Sequence, residues 1–271
     1  MKTRIISGLI AAVLVAIALF INSYFGLVTV LIVAALASLA VFEMLKNTGC
    51  IKNNVAVIVA VVYAFLSQLA YGIGFVNTQV LAVLYVVAVV IFTVFDHENF
   101  GDRQITMMIA MPIAISFAFA CLTELINSSD GMGIFYFIMV FNYALVSDIF
   151  AYFVGSAVGK HKLAPAISPK KTIEGAIGGI LGALIMTVPI CLVCELIYKT
   201  DINLPALLIM SPFLSAFGML GDLFASAIKR NYGIKDYGNI MPGHGGVLDR
   251  TDSVLLVAPT FALLISIIPV V

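Results

Sequence analysis

The sequence predicts an all-α, polytopic integral membrane protein of about nine transmembrane helices, with the N-terminus cytoplasmic and the C-terminus outside. Three observations carry that expectation. Hydrophobic residues make up 62% of the 271 and charged residues only 10%, with a mean hydropathy of +1.15, whereas soluble domains are roughly 45–50% apolar. Nine apolar runs reach or approach the length that crosses hydrocarbon as a helix. Lys and Arg then alternate between sides. Lys2, Arg4, Lys46, Lys52, Arg103, Lys160, Lys162, Lys170, Lys171, Lys229, Arg230, Lys235 and Arg250 collect on one side, and Lys199 alone falls opposite. Cytoplasmic loops carry such an excess, so the split sets the orientation and supports the count of nine.

The runs cover approximately residues 5–22, 24–45, 55–72, 78–95, 104–124, 133–153, 173–198, 204–229 and 253–271. The first follows Lys2 and Arg4, and Ala16-Ile17-Ala18 offers a weak cleavage site; with Met1 present, a retained span is expected. The whole reads as a single membrane domain, 1–271. Residues 1–125 supply scaffold helices that could carry homodimer contacts, and residues 133–271 supply catalytic helices with cytoplasmic loops at 154–172 and 230–252. Net charge is zero, so no basic surface argues for nucleic acid. Cys191 and Cys194 have metal-like spacing but lack a second Cys or His pair, which favours helix packing.

Charge concentrates in one place. Between Phe217 and Ser253 lie four of fourteen Lys/Arg, four of fourteen Asp/Glu and one of three His. Asp222 sits well inside an apolar run, where a carboxylate is costly and usually functional. Ser226, Lys229 and Arg230 follow it at helical spacing. Pro242-Gly243-His244-Gly245-Gly246 could wrap its amides round an anion. Asp249, Arg250 and Asp252 then open the last helix, where Asp252 or Ser253 could serve only as its cap.

Two further stretches complete the set. Asp148, five residues before the cytoplasmic end of its run, either captures a neighbouring Lys or hydroxyl or takes part in chemistry. Gly155 and Gly159 suit a tight exit from that helix. In Ser168-Pro169-Lys170-Lys171-Thr172, Ser168 is expected to cap the next helix with Pro169 at its first position and Glu174 in its first turn. Lys170 and Lys171 would then oppose the helix dipole, which a bound polyphosphate would resolve; a solvated positive-inside loop is the alternative. Carboxylates on different helices, several cations and a Gly-rich loop together suit Mg²⁺ and a polyphosphate. No Walker-type phosphate loop occurs.

At these residues the chain resembles a known family. Ser226, Ile228, Lys229, Arg230, Lys235, Asp236, Gly238, Pro242, His244, Gly245, Gly246, Asp249, Arg250 and Asp252 match the signature of phosphatidate cytidylyltransferases, the CDP-diacylglycerol synthases. The stretches Asp148–Lys162 and Ile167–Gly175 resemble it too, with a departure at Ser156, where relatives commonly carry a basic residue.

The resemblance implies that CTP and phosphatidate yield CDP-diacylglycerol and pyrophosphate at the cytoplasmic face of the cell's inner (plasma) membrane. It implies that Asp222 and Asp249 hold Mg²⁺, with Asp252 as a helper, a second cation left open, and Ser226 assisting. Charge and placement assign Lys170, Lys171, Lys229, Arg230 and Arg250 to phosphates, with Ser168, Thr172, Lys235 and Asp148 beside the substrates. His244 either steadies the leaving pyrophosphate or shapes its loop. A CDP-archaeol synthase or polyprenol kinase is the enzymatic alternative. An ion-coupled transporter, with Asp148 and Asp222 lining the path, is the alternative from another class.

Overall fold

The computed structural model describes residues 26–240 and 245–271. Its helices are α1 (Gly26–Asn47), α2 (Asn54–Ile73), α3 (Thr78–Phe95), α4 (Asp102–Ile126), α5 (Gly133–Phe141), α6 (Ser147–Val158), α7 (Ile173–Tyr198), α8 (Leu204–Asn231), the single turn α9 (Leu248–Thr251) and α10 (Val254–Ile267). A π turn, Asn142–Val146, joins α5 to α6. The sheet is a two-stranded hairpin, β1 (Lys162–Ala164) with β2 (Ser168–Thr172). The protein is thus an all-α polytopic membrane protein.

Seven described helices, with α5 through α6 counted as one, are long and apolar enough to cross a membrane. The first apolar run lies outside the described residues. The last forms α10, of 14 residues, which at 1.5 Å per residue is roughly 21 Å long, short of the ~30 Å of hydrocarbon. The nine expected spans therefore become seven long helices and one short one among the described residues.

Contacts divide the chain into two compact units. The first runs to Thr123 and takes in Asn231–Thr251; the second comprises Glu124–Arg230 and Asp252–Val271. In the first, α1 packs on α2 through small residues such as Ala34, Ala37, Ala56 and Ala60, all fully buried. Such residues let helix backbones approach closely where hydrocarbon supplies no hydrophobic drive. Asn53 starts α2 by accepting from Val55 N and Ala56 N at 3.0 and 3.3 Å, and Gly74, at φ 73°, ends it. Gln68 Nε2 donates to Ser116 O at 2.7 Å, which ties α2 to α4.

In the second unit, glycines on one face of α7 meet α6. A Cβ at Gly179 would lie 2.7 Å from Ser147 O, and one at Gly175 2.7 Å from Ala151 O. Asn142 at the π turn donates to Ala183 O (3.0 Å) and Thr187 Oγ1 (3.2 Å). This close pairing brings the start of α7, and the hairpin before it, against α6.

The start of α7 departs from expectation. Ser168 does not cap it. Ser168 pairs with Ala164 across the hairpin, and Pro169 sits in the strand, where its fixed φ is tolerated at an edge. Thr172 is the cap, its Oγ1 accepting from Gly175 N at 3.1 Å. Glu174 is in the first turn as expected, and accepts from Lys160 N and His161 N. Gly159 ends α6 in an extended conformation, φ −65°. Its lack of a side chain serves close approach to Thr172, as does that of Gly155.

Candidate active site

The second unit holds a cavity of about 450 Å³ bounded by α6, the hairpin, the start of α7 and the C-terminal half of α8, and lined by Asp148, Ser168, Lys170, Lys171, Thr172 and Asp222 among others. These polar groups arrive from three elements, four of them from β2. Asp148 comes from α6 and Asp222 from the C-terminal half of α8. Lys171 comes from β2, where strand alternation turns it to the opposite face from Lys170. Its Nζ pairs with Asp222 Oδ2 and lies 3.7 Å from Asp148 Oδ1.

Further bonds fix the carboxylates. Ser226, one turn along α8, donates to Asp222 Oδ1 at 3.3 Å. Ser253 Oγ donates to Asp148 Oδ2 at 3.4 Å. Asp252 is buried, its Oδ1 accepting from Ser253 N at 2.8 Å, and it does not cap α10. Burial, then the charge of Asp222, pushes the Asp252 carboxyl up to about 7, with Lys229 opposing. Burial pulls the Lys171 ammonium down, but Asp222 and Asp148 outweigh it and leave its pKa raised. Three carboxylates thus face two ammonium groups, Lys171 and the 7% exposed Lys229. With all three carboxylates ionised the cluster carries one net negative charge, and its donors are hard oxygens, the type that suits Mg²⁺. Among the described residues, no three His, Cys, Asp or Glu converge tightly enough to hold an ion unaided. An ion here would draw on water and substrate phosphate, as Mg²⁺ commonly does.

The profile of the cytidylyltransferase family matches residues 2–268. The chain belongs to this family. It is 34% identical over 275 residues to the phosphatidate cytidylyltransferase of Bacillus subtilis, covering 98% of each chain. Likeness to the enzyme of that name from Thermotoga maritima is 33% over 263 residues, covering 96% of this chain and 94% of that one. For the Staphylococcus aureus (strain COL) enzyme it is 35% over 273 residues, covering 98% and 99%.

The residues expected at the site fall into three groups. Asp148, Ser168, Lys170, Lys171, Thr172, Asp222, Ser226, Lys229 and Asp252 belong to the second unit, together with Arg230, whose Nε donates to Ile167 O at 3.2 Å. Lys235, Asp249 and Arg250 belong to the first. There Asp249 Oδ2 accepts from Tyr237 N (2.7 Å) and Gly246 N (3.0 Å), so Asp249 opens the turn α9 and has a structural task of its own. His244, with Met241, Pro242 and Gly243, lies outside the described residues. The paired reading of the two lysines needs correction: neither lies on a helix N-terminus, Lys170 is exposed, and only Lys171 enters the carboxylate pair. Sequence reading passed over Glu43, although it is the sole charged residue between Tyr24 and Leu45 and a charge within a span is a functional signal.

Lys171→Ala strands two carboxylates. Breaking a fully buried pair costs ~3–5 kcal/mol; with Lys171 and Asp222 each 21% exposed, about 2 kcal/mol is expected here. Thermal unfolding in detergent should show a fall of several degrees for Lys171→Ala and almost none for Lys170→Ala. Equal losses would contradict this division.

Proposed function

We propose that this chain transfers a cytidylyl group from CTP to phosphatidate at the cytoplasmic face of a bilayer, producing CDP-diacylglycerol and pyrophosphate for phospholipid synthesis. A phosphate oxygen of phosphatidate attacks the α-phosphorus of CTP, and the bond from that phosphorus to the α,β-bridging oxygen breaks, so that the β- and γ-phosphates leave as pyrophosphate. The observation that carries the reading is Lys171 set between Asp148 and Asp222 in a cavity at the ends of membrane helices. The names of relatives matched along nearly their whole length support it.

The chain's residues position and neutralise more than they react, as phosphoryl-type transfer requires. Asp222 and Asp252 are the ligands we propose for Mg²⁺ in the second unit, and Asp249 keeps that role in the first on the strength of its motif. When bound, the ion supplies positive charge to the triphosphate, where charge develops. Ser226 holds the Asp222 carboxylate by its hydrogen bond. Lys229, Arg230 and Arg250, with Lys170 and Lys235 at the surface, draw the anionic substrates. Ser168 and Thr172 line the cavity, and His244 would meet the leaving pyrophosphate. Lys171 holds Asp148 and Asp222 together before an ion arrives.

Purified protein with phosphatidate, MgCl₂ and each NTP in turn tests the reading. Thin-layer analysis with labelled CTP should show cytidine on the lipid, with EDTA abolishing and Mg²⁺ restoring the product. Asp222→Asn and Asp249→Asn should each lower kcat by on the order of 10²-fold. A labelled γ-phosphate on the lipid without cytidine would point to a kinase, and near-normal rates in both folded variants would remove them from the site.

The cytoplasmic placement rests on the Lys/Arg asymmetry. In a cysteine-free background, Asn239→Cys should react with an impermeant maleimide only from the cytoplasmic side and Ser129→Cys only from outside. Labelling of position 239 from outside would overturn the orientation.

A further inference from the structure

Glu43 lies on the last turns of α1 with 1% of its surface exposed, and the chemistry above does not use it. Both its oxygens are engaged by one short segment of the same unit. Oε1 accepts from Val247 N at 3.1 Å and Oε2 from Leu248 N at 2.9 Å. The approach is so close that a Cβ at either Gly238 or Gly246 would strike the Glu43 carboxylate. One helical turn further, on the same face of α1, Asn47 Nδ2 donates to Tyr237 O.

These two contacts converge. Tyr237 and Gly246 are the residues whose amides grip Asp249 Oδ2. Asn47 fixes the first through its carbonyl. Glu43 fixes the second through the amides that follow it. A carboxylate can serve an ion only if its own partners hold it still, and ligand carboxylates are commonly oriented by such outer contacts. We propose that Glu43, assisted by Asn47, is a positioning residue that presents the Asp249 carboxylate for divalent cation binding. This rests on the reading above that Asp249 serves the metal. A carboxylate suits the task because it alone among short side chains accepts two adjacent amides at once. A Gln would offer one oxygen and turn an NH₂ towards the other amide.

The test compares Glu43→Gln, Asn47→Ala and Asp249→Asn with the full-length wild type. Three readouts are taken: MgCl₂ for half-maximal activity, the rise in unfolding midpoint on adding MgCl₂ and CTP without lipid, and hydrogen exchange of the 236–251 segment. Glu43→Gln should raise half-activating Mg²⁺ by roughly 10- to 100-fold, shrink the midpoint rise, speed exchange at Val247 and Leu248, and leave KM for phosphatidate unchanged. Asn47→Ala should shift Mg²⁺ dependence in the same direction by less, and it remains informative if Glu43→Gln does not fold. Unchanged Mg²⁺ dependence and midpoint rise in the folded Glu43 and Asn47 variants, with Asp249→Asn impaired in both, overturns this proposal alone. An Asp249→Asn protein with normal Mg²⁺ dependence overturns the metal reading, and this proposal with it. Activity lost only in step with stability, at constant Mg²⁺ dependence, also overturns it.

Discussion

Lys171 stands between Asp222 and Asp148, and the second unit is arranged to bring those three groups together. Carboxylates on membrane helices are tolerated when paired or turned to a polar cavity, and here both conditions hold. The ammonium comes from outside the helices, on a strand that reaches the cavity from the hairpin. A flexible stem and compact charge let it serve two carboxylates in turn. Once Asp252 and Lys229 are included, the cluster carries one net negative charge when all three carboxylates are ionised. Clustered hard oxygen donors are the type that suits a divalent cation such as Mg²⁺.

The arrangement depends on a backbone constraint. The glycines of α7 admit the α6 backbone to distances at which any side chain would collide. Without that approach, Asp148 on α6 and the strand entering α7 would stand a side-chain width further apart. The Thr172 hydroxyl then does two things: it caps α7 and fills the space left by Gly155 and Gly159. The first unit solves a parallel problem differently, with α1 holding a loop through side-chain to backbone bonds at Glu43 and Asn47.

Much of this was legible in the sequence because hydrocarbon imposes simple rules. Runs of apolar length located α3 and α7 to the residue, since an unpaired backbone in lipid leaves helix as the economical solution. Asp222 with Ser226 was legible from spacing alone. The hairpin was not: Ser-Pro before an apolar run reads as a helix start, and only pairing with Lys162–Ala164, a non-local fact, makes it a strand. For the same reason the two adjacent lysines looked equivalent, whereas strand alternation sends one to solvent and one to the carboxylates. Asp249 was legible as a site residue, but its partners were not, because the amides that bind it, those of Tyr237 and Gly246, are placed by tertiary contacts. Glu43 was signalled by its charge, but its partners lie some two hundred residues away in sequence.

The claim that Lys171 and Asp222 form one coupled unit is tested most directly by a double-mutant cycle on unfolding stability in detergent, using Lys171→Met, Asp222→Asn and the double variant. The account predicts that Asp222→Asn costs less in the Lys171→Met background than in the wild type, with a coupling of about 1–2 kcal/mol, because removing the second charge relieves what the first left uncompensated. Losses that simply add, within ~0.5 kcal/mol, would contradict it.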